Sequence, residues 1–420
     1  MRILIVLHQF FPEFAGGTER VSLNLARSAQ RAGHFVRVLT SVLHADFCAD
    51  LSASTLDGAF DTVYEGVPVT LLPREKLRDT ADYSFDYEDA LTEGLQSWMR
   101  DGRFDVLHLL HPMRMASAIK AAQNLGLPYI VTLTDFYWFC NRVNLVNLDG
   151  RLCSGPKCGK QCAKSCKVPP WDDSSLVHRH RQAAAILGSA GACVAPSTYV
   201  AQSYQAAFEG LQVKVVPHGI DLLALLRHTQ ADRLSRVAPR AEPLTLGYIG
   251  TIVAQKGLLV LLQALAMIPE VPLRLLAAGR IHGDAIYKDH VLRLAAADSR
   301  VDMLGQLDFA AVGAMLQTID LLCLPSVVPE SYSLVLHESA AVGVPALVSG
   351  VGAPAEFIAQ TQSGQAIEAG DPAAWAQAIA RVHNEPSLLA HWRVALPLPM
   401  RVEEEAFLYE SLYRQFRKQG

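Results

Sequence analysis

Two glutamates eight residues apart, Glu330 and Glu338, lie within the run Pro325-Ser326-Val327-Val328-Pro329-Glu330-Ser331-Tyr332-Ser333-Leu334-Val335-Leu336-His337-Glu338. An ionised carboxylate accepts from several hydroxyls at once, so such a pair suits the two ends of an extended, hydroxyl-rich ligand. Read as one continuous helix, eight residues advance about 80° beyond two full turns and rise roughly 12 Å, which sets both carboxylates along one side. That is too far for a shared proton. The plain alternative makes Glu330 a partner of the helix dipole and Glu338 a surface residue. Apolar neighbours (Leu334, Val335, Leu336, Ala340, Ala341) argue against a fully solvated face.

Three further groups have the right residue types. Gly247-x-x-Gly250-Thr251-x4-Lys256-Gly257 offers flexible backbone, a hydroxyl and a long cation, the parts of a phosphate site. It matches neither the dinucleotide nor the P-loop spacing. Gly16-Gly17-Thr18-Glu19 precedes a helix whose first turn carries free N–H groups and a positive dipole end. Glycines there permit positive φ and close approach of an anion. The third group is His108, His111 and Asp135, placed at the ends of strands 105–110 and 129–134, where a carboxylate and imidazoles can orient polar groups.

Five of the eight cysteines (Cys140, Cys153, Cys158, Cys162 and Cys166) crowd into one segment that is poor in apolar residues. Residues 142–181 hold eight Lys and Arg against three Asp and Glu, a local charge of +5. An insert without a core of its own needs a staple. The first reading is a structural Zn²⁺ or iron–sulfur site on the five cysteines, with nearby lysines lowering the thiol pKa values. Disulfides, disfavoured in a reducing compartment, and incidental thiols are the other two.

The elements that must carry these groups alternate. Short apolar runs are expected as strands at 2–7, 35–40, 67–72, 105–110, 129–134, 192–195 and 213–216, then at 244–249, 272–277, 300–304, 320–324, 345–348 and 365–367. Amphipathic stretches between them predict helices near 18–32, 86–101, 113–125, 174–189 and 197–207, then 257–267, 285–297, 309–317, 332–342 and 372–384. Strands apolar throughout indicate parallel sheets covered on both faces. The fold class is therefore α/β, with two doubly wound Rossmann-like domains whose ligand sites lie beyond the carboxyl ends of the strands and are expected to face one cleft. The expected division is 1–225, carrying the cysteine-rich basic insert 140–170, then a linker within 221–243, then 240–398. A helix at 400–420, amphipathic through Phe407, Leu408, Leu412, Tyr413 and Phe416, is expected to pack back on the first domain.

Composition narrows the classes. Half the residues are hydrophobic and 19% are charged, which excludes collagen, coiled coil and long disorder. The net charge of −4 gives no overall basic field, so nucleic acid is not an expected partner. No apolar run approaches the length of a membrane span, and the N-terminus reads as a buried strand rather than a signal peptide. The expected location is cytoplasmic, with peripheral contact at the inner membrane face.

In this order the motifs resemble those of the family 4 glycosyltransferases, retaining enzymes of the GT-B fold that need no metal. The resemblance spans essentially the whole chain. It rests on Gly16-Gly17-Thr18-Glu19, Val216-Pro217-His218-Gly219-Ile220-Asp221, Gly247…Gly250…Lys256-Gly257, Glu330-x7-Glu338, Val344-Pro345 and the C-terminal helix. It implies that Gly16 and Gly17 approach the donor diphosphate and sugar, with Gly250 and Thr251 on the donor-binding loop. Lys256 would neutralise the departing diphosphate, Glu330 hold donor-sugar hydroxyls and Glu338 the ribose. Backbone at Ser333, Leu334 and Val335 would meet phosphate oxygens. His111 would stand near the sugar, with His108 as its rival and Asp135 beside them on the acceptor side. Thr251 replaces the arginine many relatives carry beside the lysine, which shifts leaving-group stabilisation toward Lys256 or another cation such as Arg280. Leu110 stands where relatives often have a histidine.

The implied activity is transfer of a sugar from a UDP- or GDP-sugar to a glycan or lipid-linked acceptor, in cell-surface polysaccharide or glycolipid synthesis, with no cofactor required. No Asp-x-Asp pair is placed to hold Mg²⁺ on a diphosphate. A nucleotide-sugar epimerase and a non-catalytic scaffold on the same fold are the alternatives; an epimerase needs no separate acceptor.

Overall fold

A computed structural model describes residues 1–44, 50–167, 171–226 and 243–417. The chain divides into two compact units, Met1–Gly219 with Met400–Gly420, and Ile220–Pro399. Most of the expected linker (227–242) lies outside the described residues; its start, Leu222–Leu226, is a short helix.

The first unit holds nine strands: β1 (Arg2–Val6), β2 (Phe35–Val42), β3 (Ser52–Ala53), β4 (Phe60–Tyr64), β5 (Val67–Pro73), β6 (Val106–Leu109), β7 (Tyr129–Thr132), β8 (Ala192–Ala195) and β9 (Val213–Val215). Their order is β3-β4-β5-β2-β1-β6-β7-β8-β9. Only β4 runs against the others, pairing antiparallel with both β3 and β5. This two-strand edge was not expected from the sequence, because Phe60 and Val63 are exposed and the run alternates. The other seven strands are β1, β2 and the runs already named, with burial on both faces for β1, β6, β7 and β8. Chain order reverses direction between β1 and β6.

The second unit holds β10 (Leu244–Ile249), β11 (Leu273–Ala278), β12 (Val301–Gly305), β13 (Leu321–Leu324), β14 (Ala346–Ser349) and β15 (Gly364–Ile367), all parallel in the order β12-β11-β10-β13-β14-β15. That is the doubly wound order 3-2-1-4-5-6, with its switch point between β10 and β13. Two apolar layers flank the sheet, one around Leu261, Trp375 and Ile379, the other around Leu316, Leu336 and Ile358.

Helices at Lys160–Ser165, Gly352–Thr361 and Ser387–Ala395 add to those expected. Gly352-Ala353-Pro354 reads as a turn, yet proline costs nothing in a first turn, where its missing N–H has no helical partner. The C-terminal helix Val402–Phe416 packs into the first unit: Tyr413 Oη hydrogen-bonds His108 Nδ1 at 2.7 Å, and Tyr409 Oη pairs with Thr132 Oγ1 at 2.7 Å. Glu405, fully buried, accepts from the Gly219 amide at 2.8 Å and pairs with His218 Nδ1 at 2.9 Å. Among the described residues no helix is long and apolar enough to cross a membrane.

Candidate active site

At the switch point of the second sheet, the loops after β10 and β13 are drawn together by their backbones. Gly257 has φ 71°, and a Cβ there would stand 1.8 Å from the Pro325 carbonyl oxygen. No residue but glycine fits. Val327 N donates to Gln255 O at 2.9 Å across the same gap. This approach brings Lys256 Nζ to 2.8 Å from Glu330 Oε2. The lysine side chain is 39% exposed and the glutamate 10%. Ser326 Oγ donates to the other carboxylate oxygen, Oε1.

Glu330 is not helical. It forms an isolated parallel bridge to Gly352, its carbonyl accepts from Ala353 N at 2.9 Å, and a Cβ on Gly352 would lie 2.5 Å from its amide. The helix begins only at Leu334, capped by Ser333, whose hydroxyl accepts from Leu336 N. This agrees with the helix expected near 332–342, and Pro329 and the bridge hold Glu330 extended before it. Glu338 is half-buried on the helix. First-turn amides at Leu334 and Val335 have no partner within the helix. Thr251 is exposed on the loop after β10, whose Ile252 amide donates to Arg280 O at 2.9 Å. Arg280 is therefore a neighbouring cation on the loop after β11. The Tyr332 and His337 rings stack at 4.2 Å beside Ser333, and sequence reading missed this pair.

In the first unit, the loops after β1, β6 and β7 form the corresponding place. His111 Nε2 lies 3.0 Å from Asp135 Oδ2, and Met113 N donates to His111 Nδ1 at 3.3 Å. With Nδ1 accepting, the proton sits on Nε2 and points to the carboxylate. Burial would raise the Asp135 pKa, but His111, the Tyr137 amide and Arg179 together hold it below the ordinary aspartate value. His8, which sequence reading missed, stacks on His111 with ring centroids 3.8 Å apart. Burial, then the neighbouring His111 and Arg114, push its pKa well down, so it stands neutral. Arg114 donates to the His8 carbonyl and to Ser41 Oγ, each at 3.2 Å, and to Asp82. Only the position of His8, just after the first strand, could have flagged it.

His108 is not at the strand's open end. It is fully buried, its ring nitrogens bonded to Tyr413 and Thr132, and burial pushes its pKa down to about 3. It holds the C-terminal helix and leaves the acceptor-side role to others. Gly16 and Gly17 do not use positive φ either. Gly16 N donates to Glu19 Oε2 at 2.8 Å, and a Cβ on Gly16 would meet that oxygen at 2.5 Å. Its smallness lets Glu19 cap the helix Gly17–Arg31.

Among the described residues no group of three or more His, Cys, Asp or Glu could hold a metal ion, and the seven described cysteines are free thiols. The Zn²⁺ or iron–sulfur reading therefore finds no support. Cys158 is exposed at a positive φ of 55°, whereas Cys140, Cys162 and Cys166 are buried. Burial raises the thiol pKa of all three, Cys162 to about 12.

Two Rossmann-like units of the GT-B class, each with polar groups gathered at its switch point, define a glycosyltransferase scaffold. The family model "Glycosyltransferase Family 4" matches residues 15–222, and "Glycosyl transferases group 1" matches 232–395. The chain belongs to the family 4 glycosyltransferases. It is 25% identical over 385 residues to a phosphatidyl-myo-inositol mannosyltransferase of Mycobacterium leprae, covering 90% of this chain and 86% of that protein. Its fold matches sucrose-phosphate synthase from Thermosynechococcus elongatus with a TM-score of 0.72 at 18% identity, over 99% and 98% of the two chains. Anabaena HepE, solved with UDP and glucose, matches with a TM-score of 0.69 at 14% identity, over 99% of this chain and 100% of that one.

Proposed function

We propose that this chain is a retaining, metal-independent hexosyltransferase that moves a sugar from a UDP- or GDP-sugar to a glycan or lipid-linked acceptor in cell-surface polysaccharide or glycolipid synthesis. The unit Ile220–Pro399 binds the donor and the unit built on Met1–Gly219 serves the acceptor. The Lys256–Glu330 pair at the switch point carries this reading. An ammonium has three donors, so Lys256 can keep Glu330 and still meet a diphosphate oxygen. As the bond from the anomeric carbon to the diphosphate breaks, charge grows on the leaving oxygen. Lys256 and the amides of Leu334 and Val335 meet that charge, which is greater in the transition state than in the bound donor. Glu330 accepts from donor-sugar hydroxyls and fixes Lys256, while Glu338 accepts from the ribose. In the acceptor unit, Asp135 orients His111, and His8 offers a neutral imidazole.

The mannosyltransferase relative and the UDP- and glucose-bound neighbour support a donor of this class and a lipid-linked acceptor. The test is a thermal-shift panel of UDP, GDP, ADP and their sugars with wild type and Lys256→Ala. A diphosphate that binds only the folded state raises Tm by mass action. One nucleotide should stabilise the wild type and lose most of that effect in the variant. Equal stabilisation of both proteins would sink the site, and an α-configured product from an α-donor, read by NMR, decides retention.

A further inference from the structure

The helix Asp173–Gly188 bears a groove of about 800 Å³ on its outer side, lined by Val177, Arg181, Ala184 and Leu187 at helical spacing and closed opposite by Phe208 and Leu211. The eleven steps of about 1.5 Å from Val177 to Gly188 make it roughly 16 Å long. Its two ends differ. Gly159 lies against Leu176 and Val177, so close that a Cβ would meet the Leu176 carbonyl at 2.6 Å, and this seats Lys160 beside Arg181 at one end. The far end, at the turn before β9, carries Glu209. Between them Val177, Ala184, Leu187 and Phe208 alternate with the polar side chains of His180 and Gln212.

The insert above the cationic end continues this polarity. Lys160 and Lys164 are one turn apart on the helix Lys160–Ser165 and share a face. Leu148 N donates to Ser165 O at 3.2 Å, which joins that helix to the hairpin closed by the Val146–Leu152 bridge. Leu148 and Leu152 on this hairpin are 49% and 56% exposed. Arg151, Lys157, Lys160, Lys164 and Arg181 are all exposed, and none makes an ion pair among the described residues, while Lys167 is paired with Asp173 and Arg179 is buried against carbonyls. Against these five cations stand Asp149 at the hairpin tip, Asp172 capping the groove helix and Glu209 at the groove.

We propose that this groove and the insert form a docking surface for an anionic phospholipid bilayer, with a lipid phosphate between Lys160 and Arg181 and the two leucines entering the interface. Five unpaired cations flanking exposed leucines match an anionic surface covering apolar chains. The cation-to-anion gradient along the groove orients an amphiphile with its phosphate at the insert end. The inference extends the lipid-linked branch of the proposed function. Vesicle binding is read without sugar transfer, so either can fail alone.

The experiment is co-sedimentation of the full chain with vesicles of phosphatidylcholine alone and of phosphatidylcholine containing phosphatidylglycerol, at low and high salt. Wild type should bind the anionic vesicles and be released by salt. Each basic residue near an anionic surface contributes about fivefold, so Lys160→Ala, Lys164→Ala and Arg181→Ala together should weaken partitioning about a hundredfold. Leu148→Ser with Leu152→Ser should weaken it while leaving the salt dependence in place. All five side chains are exposed, and an unchanged Tm verifies each fold. Equal binding to both vesicle types, no binding to anionic vesicles, or full binding by the triple variant would each overturn the proposal. Inorganic phosphate raising Tm while vesicles fail to bind would overturn it in favour of a soluble phosphate ligand.

Discussion

The two switch points solve the same topological problem with different chemistry. In the second unit the functional groups are full charges, Lys256 and Glu330, partly open to solvent and set by backbone approach at Gly257. In the first unit they are stacked rings, His8 on His111, with burial keeping His8 neutral and the partly exposed Asp135 carboxylate bonded to His111. A charged leaving group needs a cation in place before the bond breaks, whereas an acceptor hydroxyl needs orientation. Under the proposed function, the contrast suits diphosphate chemistry in one unit and positioning in the other.

The strongest way to break the contrast is Gly257→Ala. Its Cβ would collide with a backbone oxygen at a positive φ, so we expect a loss of about 4 kcal/mol or more in urea unfolding and no nucleotide-induced rise in Tm. Gly16→Ala meets only the tip of the Glu19 side chain and should cost about 1 kcal/mol. Equal losses would mean that backbone approach does not distinguish the units. Next, Lys256→Ala should lower kcat by about 10²- to 10³-fold, or roughly 3 kcal/mol, as for removal of one oxyanion donor. His111→Asn should act more mildly on kcat and more on the acceptor KM, and steady-state kinetics against both substrates separates the two.

Acid sharpens the comparison on a smaller scale. His108 is neutral when folded, with a pKa of about 3, while the unfolded chain takes up its proton near the ordinary value of 6.5. The native state therefore binds fewer protons across this window. Stability should fall as pH drops below about 6.5, by up to roughly 1.4 kcal/mol per pH unit, until the folded pKa is reached. His108→Asn should flatten that slope in chemical melts between pH 6 and pH 4; an unchanged slope would remove His108 as its source. The smallest effect is in labelling. Exposed Cys158 should react with iodoacetamide well before Cys162 and Cys193, whose thiols burial pushes up to about 12, and mass spectrometry of timed samples reads the order.

Much of this was legible in the residues. Strand runs, parallel pairing and loop positions follow from apolar continuity, and Lys256 with Glu330 stood out by type and place. What could not be read depended on contacts between distant segments. Gly257 matters because of Pro325, and Gly16 because of Glu19, neither of which periodicity shows. The bridge from Glu330 to Gly352 fixes the glutamate, and no local pattern announces it. His108 looked like a strand-end ligand because only the fold reveals Tyr413 and Thr132 around it. The cysteines looked like ligands because their number was visible and their burial was not.

The C-terminal helix has a consequence for biogenesis. Residues His218, Gly219 and Glu405 lock together although the whole of Ile220–Pro399 is translated between them. The sheet made first must wait for about 180 further residues before its last buried helix emerges from the ribosome, an interval of roughly ten to forty seconds at ordinary elongation rates. Over that interval the nascent first unit exposes the slot meant for Tyr409 and Tyr413.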